Sequence, residues 1–467
     1  ADQMRGRDMS CAGDPNVATP NLDRMAGEGM RFTNATSMIP VCTPARAALL
    51  TGLNALRTGV LSNGNFLRPD HAECGMRTWA QMLSDHDYCT AAVGKMHFYP
   101  WDISMGFQQR VVCEDKVWIN IQDDYHHYLA ERGHRKYMGK EHEGYDENYG
   151  AVTSLLPWDC YWDYFVGEEA ARFVRGYEED RPFAMMVGFP GPHDPFDPTA
   201  EWLAKVDEAA IPPPAAGEAL PGRAPGLSGS KSRPGRPIWT PEPTGPFTDA
   251  IKRKVRAHYA AQVMQIDREV GQIMAALKKH GIADRTMIIF TSDNGGLLGP
   301  TNNAPLRSGK GYAYEGGIRV PLLIKWPDVV KPGTTSAEPV TSVDYFPTIA
   351  EVAGLDLPEG RDIDGLSLAK HLSSQGKQKL GRDAIYWHFP HYRHNPGPYS
   401  IIREGDWKLI KFYEGPMELF NLKNDLGETK NLAAAMPEKV KGLESRLLAH
   451  LKSVEAKMPK PNPVAKN

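Results

Sequence analysis

Long apolar runs and a strong net charge are both missing from this 467-residue sequence. No apolar run approaches the length of a membrane-spanning helix, so the sequence predicts no membrane span. The formal net charge is −3, which argues against nucleic acid or an anionic membrane surface as a bulk partner. Internal repeats are absent as well. What remains is the ordinary composition of a globular protein, with 41% hydrophobic and 24% charged residues.

Cysteine is scarce, and all six thiols lie before residue 161. None forms a C-x-x-C pair or a zinc spacing, which argues against a structural zinc site. The pattern is compatible with one or two disulfides in an oxidising compartment, but it pairs no cysteine with another. No signal peptide is visible ahead of Ala1, so the residues alone leave the compartment open. The six are Cys11, Cys42, Cys74, Cys89, Cys113 and Cys160.

Candidate strands and helices alternate over most of the chain. Residues 88–93, the start of the stretch PFAMMVGFPGPHDPF and the stretch RTMIIFTSDNGG are typical of strands, and apolar residues recur at helical spacing from Ile251 to His280. This alternation predicts an α/β domain over residues 1–375, with a large, mostly parallel central sheet and helices on both faces. A stretch rich in Pro and Gly, at about 211–247, is expected to be a surface excursion.

The pattern changes after about residue 375. The stretches YSIIREGDWKLIKFY and MELFNL are typical of short antiparallel strands, and residues 438–454 predict a closing helix. The chain is also too long for one small core, which favours one large domain and a lesser one. We therefore predict a smaller C-terminal α+β subdomain, with an antiparallel sheet and a helix, at residues 376–467.

Polar side chains cluster where the candidate strands end. Lys95 and His97 follow one strand, and His193 follows another. Asp293 and Asn294 follow a third. Ligands of open α/β sheets bind beyond the carboxyl ends of the strands, so we expect these residues to meet. Lys95 and His97 are two residues apart and would point the same way in an extended segment.

Cys42 lies where a helix begins, because Pro44 suits the first helical turn and an Ala- and Leu-rich stretch follows. Free N–H groups at a helix N-terminus favour anions, and Arg46 returns to the same face one turn later. A nucleophile and a cation would then flank one anion site. The alternative is a packed thiol beside a surface arginine, and the spacing alone does not decide between them.

The same residues carry a family resemblance. Cys42, Pro44 and Arg46, followed by Leu50-Thr51-Gly52, closely resemble the sulfatase signature C-x-P-x-R with its trailing T-G. Six further segments match sulfatases in the same order along the chain, and such agreement rarely arises by chance. The chain therefore resembles the carbohydrate and aryl sulfatases of the alkaline phosphatase superfamily. This resemblance implies an alkaline-phosphatase-like fold. The other matching segments are ATPNLDRMAGEGMRFTNAT, GKMH, GPHDPF, TSDNGG, GKGYAYEGGIRVP and ELFNLKNDLGETKNL.

The resemblance implies that a maturation enzyme oxidises Cys42 to Cα-formylglycine. One hydroxyl of the hydrated aldehyde would attack sulfur and form a sulfated enzyme, and the second would let sulfate leave. Serine has no second hydroxyl and could not use this exit. The resemblance also implies roles for the other residues. Arg46 would hold the diol, and Lys95 and Lys310 would bind sulfate oxygens. His97 would transfer the diol proton, and His193 would protonate the leaving alcohol.

A metal site is implied as well. Asp2, Gln3, Asp293 and Asn294 offer the hard oxygen ligands that suit calcium, the metal that the resemblance implies. Many sulfatases carry Asp-Asp where this chain has Asp2-Gln3, and an uncharged amide makes Gln3 the weakest of the four ligands. Relatives also have an apolar strand leading into this aspartate. If that strand is absent, a position in the central sheet is empty; the alternative, which we favour, is that the strand precedes Ala1.

The resemblance implies a sulfated carbohydrate as substrate and favours a periplasmic or extracellular location. His391 and Arg393, in the C-terminal stretch WHFPHYRHNPGPYS, are candidate contacts for a sugar hydroxyl or carboxylate, or else surface residues of a structured loop. The sequence names neither the sugar nor the position of its sulfate.

Three alternatives stay open. A phosphonate monoester or phosphodiester hydrolase of the same superfamily can share the formylglycine, but such enzymes often have Asp-His where this chain has Asp293-Asn294. A non-catalytic glycan-binding relative should have lost a nucleophile, a lysine or a histidine, and none is lost. An enzyme that uses the unmodified Cys42 thiol is the third.

Overall fold

The structure is a computed structural model that describes residues 1–114, 119–211, 245–297, 303–358, 363–392 and 397–460. The α-helices are α1 (Pro20–Gly27), α2 (Cys42–Thr51), α3 (Ala55–Thr58), α4 (Trp79–Ser84), α5 (Asp124–Glu131), α6 (Trp162–Arg175), α7 (Ala200–Leu203), α8 (Asp249–Lys279), α9 (Glu315–Ile318), α10 (Tyr345–Val352), α11 (Ala369–Ser373) and α12 (Pro437–Ser453). The strands are β1 (Met30–Phe32), β2 (Ala35–Thr36), β3 (Cys89–Gly94), β4 (Gln109–Val112), β5 (Phe183–Gly188), β6 (Ile288–Thr291), β7 (Leu322–Lys325), β8 (Thr334–Ser336), β9 (Val340–Thr341), β10 (Ile385–Phe389), β11 (Tyr399–Glu404), β12 (Trp407–Phe412) and β13 (Glu418–Asn421).

The central strands form a parallel part and a mixed part. Strands β4, β3 and β5 lie side by side in that order, and both of their pairings are parallel. Strands β6, β7, β1 and β8 form a second sheet in which β7 runs antiparallel to both of its neighbours. The α/β class predicted from the sequence is confirmed, with a mixed central sheet.

Helices cover both faces of this sheet. Successive residues of a strand point to opposite faces, and β3 shows the consequence. Val93 packs in a core with Val166 of α6 and Tyr259 of α8. Its neighbour Ala92 packs in a separate core with Trp79 of α4. The predicted arrangement of helices on both faces is therefore present.

A gap separates the two parts of the sheet. The strands β5 and β6 that border it are the terminal strands of their sheets. Ala1 bridges to β6, because its ammonium donates to Thr291 O at 2.9 Å and its carbonyl accepts from Asp293 N at 3.3 Å. On the other side, Asp2 N donates to Gly191 O at 2.9 Å.

Below these two residues lies a cavity of about 770 Å³. Its walls are mainly apolar, because β5, β6 and α8 turn hydrophobic side chains towards it. The lining includes Phe183, Met185, Val187, Met274, Ile288 and Phe290.

The C-terminal strands β10 to β13 form one antiparallel sheet in sequential order. One face packs against α12 through Ile402, Leu409 and Leu447. The other face packs towards the start of α2, since Ile401 shares a hydrophobic cluster with Val41. The antiparallel sheet and helix predicted for this part of the chain are confirmed, and the boundary near residue 375 stays a prediction.

Several local predictions need correction or comment. Helix α6, which begins at Trp162, and strand β4 are elements that the sequence analysis does not predict. All six cysteines are free in the structure. In the described ranges, no helix is long and apolar enough to cross a membrane. Most of the Pro- and Gly-rich excursion lies outside the described residues.

Candidate active site

The thiol of Cys42 lies at the first residue of α2 and is fully buried. Two groups from distant segments contact it. Lys310 Nζ donates to Cys42 Sγ at 3.0 Å, and the thiol donates to Asp2 Oδ1 at 3.4 Å. Residue 42 therefore has a cation on one side and a carboxylate on the other.

Arg46 follows on the same helix and is also buried. Its Nη2 lies 3.5 Å from Asp2 Oδ2, and its Nε lies 3.3 Å from Asp293 Oδ2. Its Nη1 donates to the carbonyl of Lys95 at 2.6 Å. One guanidinium thus connects α2 to the segments that follow β3 and β6. The i, i+4 spacing places Arg46 on the same face of the helix as Cys42.

Lys95 and His97 follow β3, as predicted. Lys95 Nζ lies 2.8 Å from Asp2 Oδ2, and Lys95 is 2% exposed. The predicted extended segment is wrong, because His97 has φ 58° in the left-handed region. The His97 side chain is half-buried, and its Nδ1 is buried without a hydrogen-bond partner among the described residues. Burial, together with the charges of Lys95 and Arg46, holds the pKa of His97 well below its usual value.

His193 follows β5 and faces Lys310. Its Nε2 lies 3.4 Å from Lys310 Nζ, and its Nδ1 lies 2.6 Å from the carbonyl of Asp194. The Asp194 carboxylate is also close, with Oδ1 3.1 Å from Nδ1. Burial lowers the pKa of His193, and the charge of Asp194 opposes that change. A neutral imidazole with its proton on Nδ1 and a lone pair towards Lys310 fits these contacts.

The four residues predicted as metal ligands are all buried. Gln3 N and Asn294 N both donate to Asp293 Oδ1, at 3.0 and 2.8 Å. Asn294 Oδ1 is buried and has no hydrogen-bond donor among the described residues. The side chain of Gln3 extends elsewhere, since its Nε2 lies 3.4 Å from Asp194 Oδ1.

The two predicted sugar contacts are less well placed. His391 packs edge-on against Phe389 at a centroid distance of 5.1 Å. Phe389 belongs to the same hydrophobic cluster as Val41, which precedes Cys42. Arg393 lies outside the described residues. The role of both residues stays a prediction.

Comparison with known families assigns this group of side chains to a class. The model of the sulfatase family matches residues 1–355, which is well over half of the chain. The chain belongs to the sulfatase family. A second model, described as the C-terminal part of N-sulphoglucosamine sulphohydrolase, matches residues 308–457 of this sulfatase.

Individual relatives agree with this assignment. A sulfatase of Formosa agariphila is 43% identical over 203 residues, which are 40% of this chain and 37% of that protein. The N-acetylglucosamine-6-O-sulfatase of Bacteroides thetaiotaomicron is 26% identical over 91% of this chain and 80% of its own length. Among solved structures, the phosphonate monoester hydrolase of Agrobacterium radiobacter superposes with a TM-score of 0.77 at 25% identity, covering 97% of this chain and 94% of its own.

The charges around Cys42 argue against a thiolate in this sulfatase. Burial, with the nearby charge of Asp2, raises the pKa of the Cys42 thiol to about 12, and Lys310 only partly opposes this. At neutral pH the neutral thiol therefore predominates over the thiolate. Burial would also raise the pKa of Asp2, but Lys95, His193 and Arg46 hold it well below its usual value. The site therefore keeps an anion beside a neutral thiol.

The oxygen-rich side of the site fits a hard divalent cation. Asp2 and Asp293 are buried carboxylates that Arg46 joins, and the Asn294 amide oxygen is buried without a described donor. Carboxylate and amide oxygens are the ligands that calcium and magnesium take. In addition, Asp2, Cys42 and His193 each offer a ligand atom within 4.8 Å of the others.

Two further residues of this sulfatase were missed by sequence reasoning. Asp194 contacts His193 Nδ1, and its place in the GPHDPF segment is the signal that could have identified it. Glu114 is buried behind Lys95 and accepts from Met96 N at 3.3 Å. Burial raises the pKa of Glu114 to about 7 against the opposing charge of Lys95. Glu114 follows β4, and it was missed because that strand was not predicted.

Proposed function

We propose that this sulfatase removes sulfate from a sulfated carbohydrate, with Cys42 converted to formylglycine and with calcium at the oxygen-rich side of the site. One observation carries the proposal. Lys310 Nζ lies 3.0 Å from Cys42 Sγ and 3.4 Å from His193 Nε2. A single cation therefore stands between the nucleophile position and the candidate acid, where an anionic ester would bind.

The cations of the site suit a sulfate ester, which gathers negative charge on its oxygens in the transition state. Lys310 and Lys95 would each donate to a sulfate oxygen, because both ammonium groups lie within 3 Å of partners at residues 42 and 2. Once formed, formylglycine supplies a hydrated aldehyde whose hydroxyl is the nucleophile. Arg46 would orient residue 42 from one turn further along α2.

Two histidines are available for proton transfer. His97 has a lowered pKa, so its neutral ring would be able to accept a proton from the diol. His193 would donate its proton to the leaving alcohol. A bound sulfate ester would neutralise the charge of Lys310 at His193 Nε2, which would raise the pKa of His193 and favour its acid form.

For calcium, Asp2, Asp293 and Asn294 would provide ligand oxygens. Gln3 is the weakest candidate, because its amide nitrogen already contacts Asp194. When bound, the ion supplies positive charge that offsets the charge of the ester oxygens.

The carbohydrate assignment is supported by the relative named as acting on N-acetylglucosamine 6-O-sulfate, which matches 91% of the chain. A second candidate has a specific observation in its favour. The phosphonate monoester hydrolase matches the fold at a TM-score of 0.77, so phosphonate or phosphodiester hydrolysis is the runner-up. The raised pKa of Cys42 disfavours an enzyme that uses the free thiol.

A substrate panel tests the proposal. The protein would be produced with a formylglycine-generating enzyme and offered an aryl sulfate, an aryl phosphonate monoester, and sulfated hexasaccharides of the heparin, chondroitin and carrageenan types. We expect inorganic sulfate from at least one hexasaccharide, at a kcat/KM at least about tenfold above that for the phosphonate ester. Turnover of the phosphonate ester with no release from any sulfate ester would establish the runner-up instead.

The control is the same protein made without the maturation enzyme, with the mass of the Cys42 peptide measured in both samples. Sulfate release should follow the converted fraction. Chelation of divalent ions should also abolish release, and calcium should restore it better than magnesium. Full turnover after chelation would contradict the metal assignment without touching the sulfatase assignment.

A further inference from the structure

An aromatic pair lies close in the chain to residues of the site. Tyr99 is 63% exposed, which is the largest value among the exposed large hydrophobic side chains of the described residues. Its ring packs on the partly buried ring of Phe66, with centroids 5.1 Å apart and planes inclined by 32°. Exposed aromatic pairs are uncommon on a protein surface, because each ring forgoes the burial that would stabilise it.

Both rings are tied to residues of the active site. Tyr99 lies two residues beyond His97, so their Cα atoms are at most about 7 Å apart. Phe66 lies three residues after Asn63. The Oδ1 of Asn63 accepts a hydrogen bond from the backbone N of Thr43 at 3.2 Å, and Thr43 is the residue after Cys42. The aromatic pair therefore lies within three residues, along the chain, of His97 and of the Asn63 side chain that contacts Thr43.

The intervening residue fixes the direction of Tyr99. Phe98 points inward, where it is 6% exposed and packs against Phe107 and beneath the guanidinium of Arg110. Arg110 Nη1 in turn donates to the carbonyls of Trp101 and Ile103. The segment that carries Tyr99 is thus anchored on both sides of the exposed ring, and the ring is presented to solvent by a rigid loop.

We propose that Phe66 and Tyr99 form a subsite that stacks on the apolar face of a pyranose ring in the substrate, one or two units from the sulfated sugar. This inference rests on the proposed function. A pyranose presents a face of C–H groups, and an aromatic ring can cover that face without any charge. The subsite would recognise the uncharged body of a glycan, whereas Lys95 and Lys310 would recognise its sulfate.

Matched substrates and variants test the subsite. Tyr99→Ala, Phe66→Ala and the conservative Tyr99→Trp would be assayed on three probes: an aryl sulfate, the sulfated hexasaccharide that releases sulfate fastest, and the sulfated monosaccharide contained in it. The alanine variants should raise KM for the hexasaccharide about tenfold and leave kcat unchanged. Tyr99→Trp should restore the KM. Neither the aryl sulfate nor the monosaccharide should respond.

Other outcomes would overturn the subsite. Equal losses on all three probes would mean that the rings only support the fold near His97. An unchanged KM for the hexasaccharide would also refute the subsite, as would cleavage of the aryl sulfate with no hexasaccharide cleaved. If the variants changed the oligomeric state, the rings would belong to a contact between copies of the chain. If the chain without these substitutions released sulfate from no sulfate ester, the proposed function itself would have failed. That outcome is distinct from a failure of the subsite.

Discussion

Replacing Cys42 with alanine is expected to lower kcat for sulfate release by about 10⁴-fold or more, since removal of a covalent nucleophile costs factors of this size. The fold should survive, because the lost sulfur is small and its partners Asp2 and Lys310 also pair with other residues. Inorganic sulfate measured after maturation gives the rate, and denaturant unfolding gives the stability.

Two further variants make this result specific. Cys113→Ala removes another fully buried thiol, outside the group of charged residues, and should leave kcat nearly unchanged. Cys42→Ser should be as inactive as Cys42→Ala, because serine offers a single hydroxyl where the hydrated aldehyde offers two. Substantial steady turnover by either Cys42 variant would refute residue 42 as the covalent catalyst.

Replacing Lys408 with methionine is expected to lower the free energy of unfolding by about 3–5 kcal/mol. Lys408 lies on β12 and is fully buried, with Nζ 3.0 Å from Glu315 Oε1 and 2.7 Å from Glu428 Oε1. Glu315 retains an ion pair with Arg319, but Glu428 would lose its closest cation. Breaking a buried pair is costly because it leaves an uncompensated charge in a region that water does not reach.

The same strand offers a matched control. Lys411 lies 2.7 Å from Glu444, but both side chains are about a quarter exposed, at 23% and 25%. Exposed pairs are screened by water, so Lys411→Met should cost less than about 1 kcal/mol. Urea unfolding of both variants measures the difference. Equal, small losses would show that the buried cluster contributes little.

Activity should respond to Lys408 as well. Glu428 Oε2 accepts from Glu315 N at 2.6 Å, at the start of α9, five residues beyond Lys310. Arg307, on the other side of Lys310, donates to the carbonyl of Glu428 at 3.1 Å. Glu428, which follows β13 and pairs with Lys408, thus contacts both ends of the segment that carries Lys310. We expect the fraction of Lys408→Met that remains folded to release sulfate more slowly than the unmodified chain.

Part of the site follows from local rules that act on the sequence alone. Pro44 and the Ala-rich stretch determine a helix that begins at Cys42, and the 3.6-residue period brings Arg46 to the same side. His193, Asp293 and Asn294 follow predicted strands, and the carboxyl ends of strands are where α/β sheets bind ligands. These features depend only on neighbours in the chain, so the sequence predicts them.

Other features depend on contacts between distant segments. The turn at His97 was not predicted, because its positive φ is stabilised by tertiary packing and not by a glycine. Strand β4 and Glu114 were missed since β4 is short and is defined by its parallel pairing with β3. The buried cluster of Lys408 joins residues 93 and 20 positions apart, which no periodicity connects.

The sequence by itself determined the α/β class, the helix that carries Cys42 and Arg46, and the set of residues that the sulfatase signature marks. Only the tertiary structure decided how these side chains meet: Lys310 beside Cys42, Arg46 between Asp2 and Asp293, and the raised pKa of the thiol. The physical reason is that helix and strand patterns arise from local backbone geometry. Burial and charge, which give the site its chemistry, are properties of the assembled molecule.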